Sequence, residues 1–114
     1  MGDCLFCRIV EGAIPAKILY EDDHCLGFAD INPQARVHVL VIPKRHLGSL
    51  SEANAHEAVL LGQLLVACAT VAREQGVAES GYRVVANTGR EAGQSVFHLH
   101  FHVLGGRSLG WPPG

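Results

Sequence analysis

The sequence predicts an α+β fold: an antiparallel five-stranded sheet, one long helix that covers it, and a short N-terminal helix. Three observations lead to this prediction. Five segments have β-type patterns, only residues 54–75 have a long helical stripe, and the elements follow in the order βββαββ after the N-terminal helix. At 114 residues, with 48% hydrophobic and 18% charged residues, the chain fits one globular domain over residues 1–114.

Two segments have helical patterns. Residues 3–12 predict a short helix, with Asp3 as its N-cap. Residues 54–75 predict the long helix, because Asn54 and Glu57 have the spacing of a capping box at its start. Apolar residues at three- and four-residue steps then form one stripe, which we expect to pack on the sheet: Leu60, Leu61, Leu64, Cys68, Val71 and Ala72.

The five strand-like segments are residues 16–21, 24–30, 37–43, 81–87 and 98–104. The first two flank Asp22-Asp23, which predicts a hairpin. Pro33 predicts a turn over residues 30–34, because its φ angle is fixed and it lacks an N–H group. The third segment is β-branched and almost continuously apolar, which is typical of a central strand.

Composition bounds the partners and the compartment. A formal net charge of −2 gives no basic footprint, so we expect a small-molecule substrate and no nucleic-acid partner. No apolar run approaches the length of a membrane span, so we expect no membrane partner. The start, Met1-Gly2-Asp3-Cys4, lacks the pattern of a secretory signal, and the four cysteines do not form a disulfide framework. These features favour a cytoplasmic location.

The fifth strand segment carries the most informative pattern. Side chains alternate between the two faces of a strand, so its histidines share one face: His98, His100 and His102. Such rings require hydrogen-bond partners when buried, and their near-neutral pKa suits nucleophilic, acid–base or metal chemistry. A plain solvent-facing strand and metal binding by His-x-His spacing are the alternatives.

The loop before these histidines favours an anionic substrate. Gly93 permits close backbone approach, and Gln94 and Ser95 supply hydrogen-bond donors. Backbone N–H groups in such a loop can hold phosphate oxygens. The sequence therefore predicts a phosphate site with a nitrogen nucleophile beside it.

Residues 98–104, His-Leu-His-Phe-His-Val-Leu, resemble the signature of the histidine triad (HIT) superfamily. Further segments resemble its Hint branch: Ile14-Pro15-Ala16-Lys17, Pro33-Gln34-Ala35, Leu40-Val41-Ile42-Pro43-Lys44, Gly93-Gln94-Ser95-Val96, Leu104-Gly105-Gly106-Arg107 and Trp111-Pro112-Pro113-Gly114. The resemblance implies a HIT-like fold and a homodimer. It also implies a purine nucleoside phosphoramidase, which hydrolyses the P–N bond of AMP or GMP phosphoramidates and also acts on aminoacyl-adenylates.

The resemblance implies catalytic residues. His100 would attack phosphorus and form a nucleotidyl-histidine intermediate, and His102 would bind near the phosphate and leaving group. His38 would orient the nucleophile, Ser95 would assist the departing amine, and His98 is the first histidine of the triad. From the residues alone, a core histidine with satisfied ring nitrogens is the commoner case for a residue such as His38.

The resemblance also implies nucleotide contacts. Asp30 would accept the ribose hydroxyls, although its sequence context equally fits an Asx turn before Pro33. Asn87 and Gln94 would hold phosphate oxygens, and Trp111 would reach the partner subunit's site. The remaining nucleotide-binding residues are Gly93, Ser95 and Val96 of the loop and an apolar purine slot of Leu5, Phe6, Ile9, Phe28 and Ile31, some of which are expected to be ordinary core.

A metal site is a separate prediction. Cys4 and Cys7 form a C-x-x-C pair, which is half of a tetrahedral zinc site. Similarity to some bacterial relatives implies that His46 and His98 complete a structural zinc site, which catalysis does not require. The alternative is an unliganded thiol pair.

Two other functions remain open from the sequence. A dinucleoside polyphosphate hydrolase of the Fhit type would use the same histidine chemistry. A nucleotide- or zinc-binding interaction module would need no turnover at all.

Overall fold

The computed structural model describes residues 3–114; Met1 and Gly2, on which the expectation about a secretory signal partly rests, lie outside the described residues. The helices are α1 (Leu5–Val10) and α2 (Ala58–Glu74). The strands are β1 (Ile18–Glu21), β2 (Cys25–Ala29), β3 (Val37–Pro43), β4 (Tyr82–Val85) and β5 (Phe101–Gly105). All pairings are antiparallel, in the sheet order β1-β2-β3-β5-β4. This confirms the predicted fold class.

Strand β3 is the centre of the sheet, as its composition predicts. All seven of its residues are buried, and Val41 pairs with Gly27 on one side and Phe101 on the other. The predicted hairpin of β1 and β2 is confirmed as well. Its turn is held by Asp22, whose Oδ1 accepts hydrogen bonds from the N–H groups of His24 and Cys25 at 2.8 and 2.7 Å.

Helix α2 covers one face of the sheet. Its buried residues are Leu64, Ala67, Cys68, Val71 and Ala72, and they join the core formed with β2, β3 and β5. Full burial of a side chain such as that of Leu64 contributes roughly 2 kcal/mol. The Asn54–Glu57 capping box is present, but it starts one 3₁₀ turn (Ala55–Glu57) before the α-helix begins at Ala58.

The expectation about apolar length needs a correction. Residues Ala55–Glu74 are long and apolar enough, by length and composition alone, to cross a membrane. Polar residues interrupt this segment, so the sequence does not show it as one continuous apolar run. Its buried stripe packs on the sheet, which is how the core helix of a globular protein acquires such a composition.

Helix α1 lies on the other face of the sheet. There Phe6 packs against a second apolar cluster whose other buried members are Leu26, Phe28, Leu40 and Ile42. The predicted N-cap Asp3 is wrong: Cys4 is the cap, because its Sγ accepts the Cys7 N–H at 3.3 Å. The helix thus starts on the residues that the zinc prediction singled out.

The fifth strand is shorter than predicted. Residues 98–100 precede β5, because Pro43 opposite them has no N–H to donate and Leu99 N–H turns to the Leu47 carbonyl at 2.6 Å. The alternation of faces persists through this segment. Leu99, Phe101 and Val103 join the core under α2, whereas the rings of His98 and His100 contact Phe6 on the other face.

Candidate active site

His100 is held with one ring nitrogen free. It is 5% exposed, and its Nδ1 lies 2.7 Å from the backbone carbonyl of His98. A carbonyl only accepts hydrogen bonds, so Nδ1 carries the proton and donates. In the neutral ring, Nε2 therefore holds a lone pair. This is the arrangement that a nucleophilic imidazole needs.

A chain of hydrogen bonds assigns the tautomers of the two neighbouring rings. The backbone N–H of Gln34 can only donate, and it lies 3.0 Å from His38 Nδ1. His38 therefore carries its proton on Nε2, which is 2.9 Å from His102 Nδ1. His102 must accept there, so its own proton is on Nε2. The His102 ring lies 5.1 Å from that of His100, which places a donor beside the nucleophile.

We call His38, His102 and His100 the histidine relay. Electrostatics keeps the rings of His38 and His102 uncharged. The pKa of His102 is lowered to about 4, chiefly by burial and also by the neighbouring rings of His100 and His38. Burial also lowers the pKa of His38, although Asp30 opposes this effect. Both rings are therefore uncharged near neutral pH, which is the state that the tautomer assignment requires.

Asp30 serves the turn and the site together. Its Oδ1 accepts the Asn32 N–H at 2.8 Å, which is the Asx turn before Pro33. Its Oδ2 lies 3.3 Å from His38 Nε2. The carboxylate also lines the cavity described next. The Asx turn uses Oδ1, so it does not prevent the carboxylate from contacting a ribose with its other oxygen.

A cavity of about 350 Å³ collects most of the predicted nucleotide contacts. The predicted residues that line it are Leu5, Phe6, Ile9, Phe28, Asp30, Ile31, Ser95 and Val96. The Phe6 ring lies edge-on to Phe28, with centroids 5.3 Å apart, and to His100, with centroids 5.2 Å apart. Phe6 therefore connects the apolar wall to the His100 ring.

The loop before the triad has a different internal arrangement from the one expected. Gly93 has a φ of +90°, which favours glycine. The Gln94 amide is buried within the loop: its Oε1 accepts the Gly89 N–H, and its Nε2 donates to the carbonyls of Gly48 and Val96. Its side chain thus braces the loop. In the described chain, the N–H groups of Ser95 and Val96 donate to no protein acceptor, so they can bind an anion.

Four predicted nucleotide contacts are not among the residues that line this cavity: Gly93 and Gln94 of the loop just described, Asn87 and Trp111. Trp111 is 82% exposed, and its ring stacks at 5.9 Å from the Arg83 guanidinium. Asn87 follows β4 by two residues and is not part of the cavity lining.

The four predicted metal ligands converge on one point. The Sγ of Cys4 is 3.3 Å from His98 Nδ1, and the Sγ of Cys7 is 3.3 Å from His46 Nδ1 and 3.5 Å from His98 Nδ1. The two imidazole Nδ1 atoms are 3.2 Å apart. These are the separations expected at the corners of a tetrahedral site with two sulfur and two nitrogen ligands. We call these four residues the Cys/His cluster; it could hold a metal ion.

The surroundings of the Cys/His cluster fit a cation. His98 Nε2 lies 2.8 Å from the Pro43 carbonyl, so it carries the proton and leaves a lone pair on Nδ1. The pKa of Cys7 is raised to about 11, chiefly by burial and also by the contact with Cys4. A bound cation would reverse this shift, because it stabilises the thiolate.

Sequence reasoning missed the backbone groups that set the ring orientations. They are the Gln34 N–H and the carbonyls of His98 and Pro43. Side-chain patterns carry no signal for such contacts. It also missed further cavity residues: Ile14, Pro15, Ala16, Ala29 and Leu40. For the first three, the segment 14–17 that resembles the Hint branch was a usable signal.

Comparison with known proteins agrees with this geometry. The HIT domain family matches residues 11–109. An uncharacterized HIT-like protein of Synechococcus elongatus is 54% identical over 112 residues, which cover 98% of this chain and 97% of that protein. A HIT family hydrolase from Legionella pneumophila Philadelphia 1 is 45% identical, with a TM-score of 0.96 over 98% of this chain and all of that one (100%). A histidine triad nucleotide-binding protein from Candida albicans is 34% identical, with a TM-score of 0.82 over 96% of this chain and 83% of that one. The chain therefore belongs to the HIT domain family.

Proposed function

We propose that this protein is a purine nucleoside phosphoramidase of the Hint type, which hydrolyses the P–N bond of AMP or GMP phosphoramidates. The proposal includes hydrolysis of aminoacyl-adenylates, in which the bond broken is P–O. One observation carries the proposal. The hydrogen bond from His100 Nδ1 to the His98 carbonyl leaves a lone pair on Nε2, and the His100 ring packs against Phe6, which lines the cavity of about 350 Å³. The Legionella hydrolase and the Candida nucleotide-binding protein support the same class of reaction and ligand.

The reaction has two steps. His100 Nε2 attacks the α-phosphorus, the P–N bond breaks, and the amine departs with a proton. His102 Nε2–H and the Ser95 hydroxyl are the donors that can assist that departure. Water then attacks the nucleotidyl-histidine, releases the nucleoside monophosphate and restores His100.

Phosphate binding relies on the loop before the triad. The free N–H groups of Ser95 and Val96 would donate to the phosphate oxygens as charge gathers on them. Gln94 contributes by holding the loop open, because its amide bridges Gly48, Gly89 and Val96. Preorganised donors of this kind need no rearrangement at the transition state.

Nucleoside recognition combines one carboxylate with apolar walls. Asp30 lines the cavity, and each of its carboxylate oxygens can accept a further hydrogen bond, from the ribose hydroxyls, beside the one from Asn32 N–H or the contact with His38 Nε2. Phe6, Phe28 and Ile9 supply flat and apolar surfaces for a purine. The free base-edge donors and acceptors that would separate adenine from guanine are not part of this wall, so both nucleotides are included in the proposal.

We also propose that the Cys/His cluster binds a structural zinc ion. Zinc would join α1, the end of β3 and the segment before β5, because the ligands come from those elements: Cys4, Cys7, His46 and His98. Its chemistry there is that of a cross-link. The reaction itself is carried out by His100, His102 and the loop donors, so catalysis does not require the metal.

The proposal includes a cytosolic homodimer. Val59, Leu65 and Val66 leave an apolar strip exposed on the outside of α2, and Tyr82 and Val84 are exposed on the edge strand β4. Covering this surface with a second copy would remove it from water. In a dimer, the exposed Trp111 would be available to the partner subunit's site. A reducing compartment would keep the free thiols of Cys4 and Cys7 ready for metal.

A comparison of substrates tests the activity. The protein is assayed with an adenosine phosphoramidate and with a diadenosine polyphosphate at equal concentration. We expect the phosphoramidate to have the higher kcat/KM, and acid quenching to trap a nucleotidyl adduct on His100 detectable by peptide mass spectrometry. A preference for the diadenosine compound would favour the Fhit-type reaction, and binding without turnover of either would favour an interaction module.

A further inference from the structure

A second cavity, of about 490 Å³, lies at the opposite end of β5 from the triad. Its lining includes three arginines, two serines and a tyrosine: Arg36, Arg83, Arg107, Ser80, Ser108 and Tyr82. We call it the arginine cavity. We propose that it binds a phosphate-bearing small molecule at a position separate from the active site.

The charge of the arginine cavity is not balanced by the protein. Its lining contains no aspartate or glutamate. Among residues 3–114, the ion pairs join His38 to Asp30, Lys44 to Glu21 and Arg45 to Glu57, and none involves the cavity. Three guanidinium groups thus share one concave surface on a chain whose formal net charge is −2. An anion is the ligand that such a surface attracts.

Two of the guanidinium groups are fixed by backbone carbonyls. Arg83 Nη2 donates to the Gly110 carbonyl at 2.8 Å, and Arg107 donates from Nε to the Gln34 carbonyl at 2.9 Å and from Nη1 to the Ser108 carbonyl at 2.9 Å. These neutral acceptors orient the side chains but leave their charges uncompensated. Each guanidinium keeps further N–H groups for a ligand.

The third guanidinium is placed by a glycine. Gly106 has a φ of +93°, and a methyl group in place of its side-chain hydrogen would lie 2.9 Å from Nε of Arg36. The Arg36 side chain therefore rests against the Gly106 backbone, where only glycine leaves room. In the described chain its guanidinium has no hydrogen-bond or ion-pair partner.

Phosphate oxygens suit this arrangement best. Guanidinium forks bind phosphate through paired charge-assisted hydrogen bonds, and the Ser80 and Ser108 hydroxyls can add neutral ones. The volume falls within the range of small-molecule sites and exceeds the need of one inorganic ion.

The arginine cavity is connected to the histidine relay through Arg107. Arg107 bonds to the carbonyl of Gln34, whose N–H donates to His38 Nδ1. Ligand binding that draws Arg107 toward the cavity would therefore act on the residue that fixes the His38 tautomer. This provides a second readout besides binding itself.

The test is a titration followed by NMR, with inorganic pyrophosphate and ADP as probes. We expect pyrophosphate to shift the arginine Nε–H signals and the amides of Ser80 and Ser108, in addition to any change at Ser95 and Val96. Tighter binding of ADP at the arginine cavity would identify a nucleotide as the source of the phosphate. Equal affinity would identify the free diphosphate group as what is recognised.

Three variants decide the outcome. Arg36→Gln should weaken pyrophosphate binding at the arginine cavity roughly tenfold, whereas Arg36→Lys, which keeps the charge, should weaken it less. Arg73→Gln is the matched control, since it removes one charge from the exposed end of α2 and does not line the cavity. Equal pyrophosphate affinity of the wild type and Arg36→Gln, or shifts confined to Ser95 and Val96, would overturn the proposal.

Discussion

The histidine relay and the Cys/His cluster both contain histidines whose ring nitrogens lie close together, but the partners of those nitrogens differ. In the relay, the Gln34 N–H and the His98 carbonyl fix which nitrogen of His38 and of His100 carries the proton. In the cluster, the Nδ1 lone pair of His98 lies within 3.5 Å of both sulfurs, and burial together with the contact with Cys4 raises the Cys7 pKa to about 11. Protein groups assign the ring protons of His38 and His100, whereas the ligand atoms of the cluster are arranged so that they could hold a metal ion.

His98 belongs to both regions through different atoms. Its ring points into the Cys/His cluster, and its backbone carbonyl orients the ring of His100, the proposed nucleophile. One residue thus contributes its side chain to the candidate metal site and its backbone to the candidate catalytic site. The comparison teaches that histidine spacing locates such a site, while the partner of each ring nitrogen decides its use.

The largest effect should come from the nucleophile. His100→Ala should lower kcat of phosphoramidate hydrolysis by roughly 10⁴-fold or more, because the covalent step is lost. His56→Ala, at an exposed histidine before α2, is the control and should keep wild-type activity. Wild-type activity of His100→Ala would contradict the assignment of His100 as the nucleophile.

The Cys/His cluster should respond in metal content and stability. Wild-type protein purified under reducing conditions should hold one zinc per chain, and Cys7→Ser should hold none and lose on the order of 3 kcal/mol of unfolding free energy. Activity measured below the melting temperature should fall less than tenfold. Cys68→Ser, at a buried thiol of α2 outside the cluster, should keep the metal. Wild-type protein that contains no zinc would contradict the proposal that the Cys/His cluster binds this metal.

The relay can be tested without touching the nucleophile. His38→Ala removes the donor to His102 Nδ1 and should lower kcat roughly 10²-fold with little change in KM. Asp30→Asn provides the contrast, because a ribose contact should raise KM instead. If the two variants changed the same parameter, His38 and Asp30 would not have the separate functions assigned to them.

The smallest expected effect is a pH dependence of stability. His102 has a pKa of about 4 in the fold, against ~6.5 in an unfolded chain. Between these values the unfolded chain binds more protons, so the free energy of unfolding should rise by roughly 2 kcal/mol from pH 4 to pH 6.5. Urea titrations across this range measure it. His102→Asn should flatten the slope, and His56→Asn should not; equal slopes in both would contradict a neutral buried His102.

Most of the fold could be predicted because its elements follow local rules. The β-branched run 37–43 became β3, and the apolar stripe of residues 54–75 became α2. The ends of elements were less predictable. Strand β5 begins at Phe101 because Pro43 cannot donate to the ladder, and α1 is capped by Cys4 because its sulfur meets the Cys7 N–H.

The candidate site divides in the same way. The residues lining the apolar cavity and those of the Cys/His cluster are the predicted ones in large part, since motif spacing names side chains. The loop brace formed by Gln94 and the position of Trp111 beside Arg83 could not be foreseen. Both depend on which backbone groups and rings meet after folding.

The sequence by itself determined the residue types and their order: a strand of alternating histidines, a C-x-x-C pair and a helix with one apolar stripe. Only the tertiary structure decided the use of each nitrogen, because a ring's tautomer follows from its partner and these partners are distant in the chain. Pro43 reaches His98 across 55 positions, and His38 reaches His102 across 64. Side-chain identity is local information, whereas proton position depends on contacts that exist only in the folded chain.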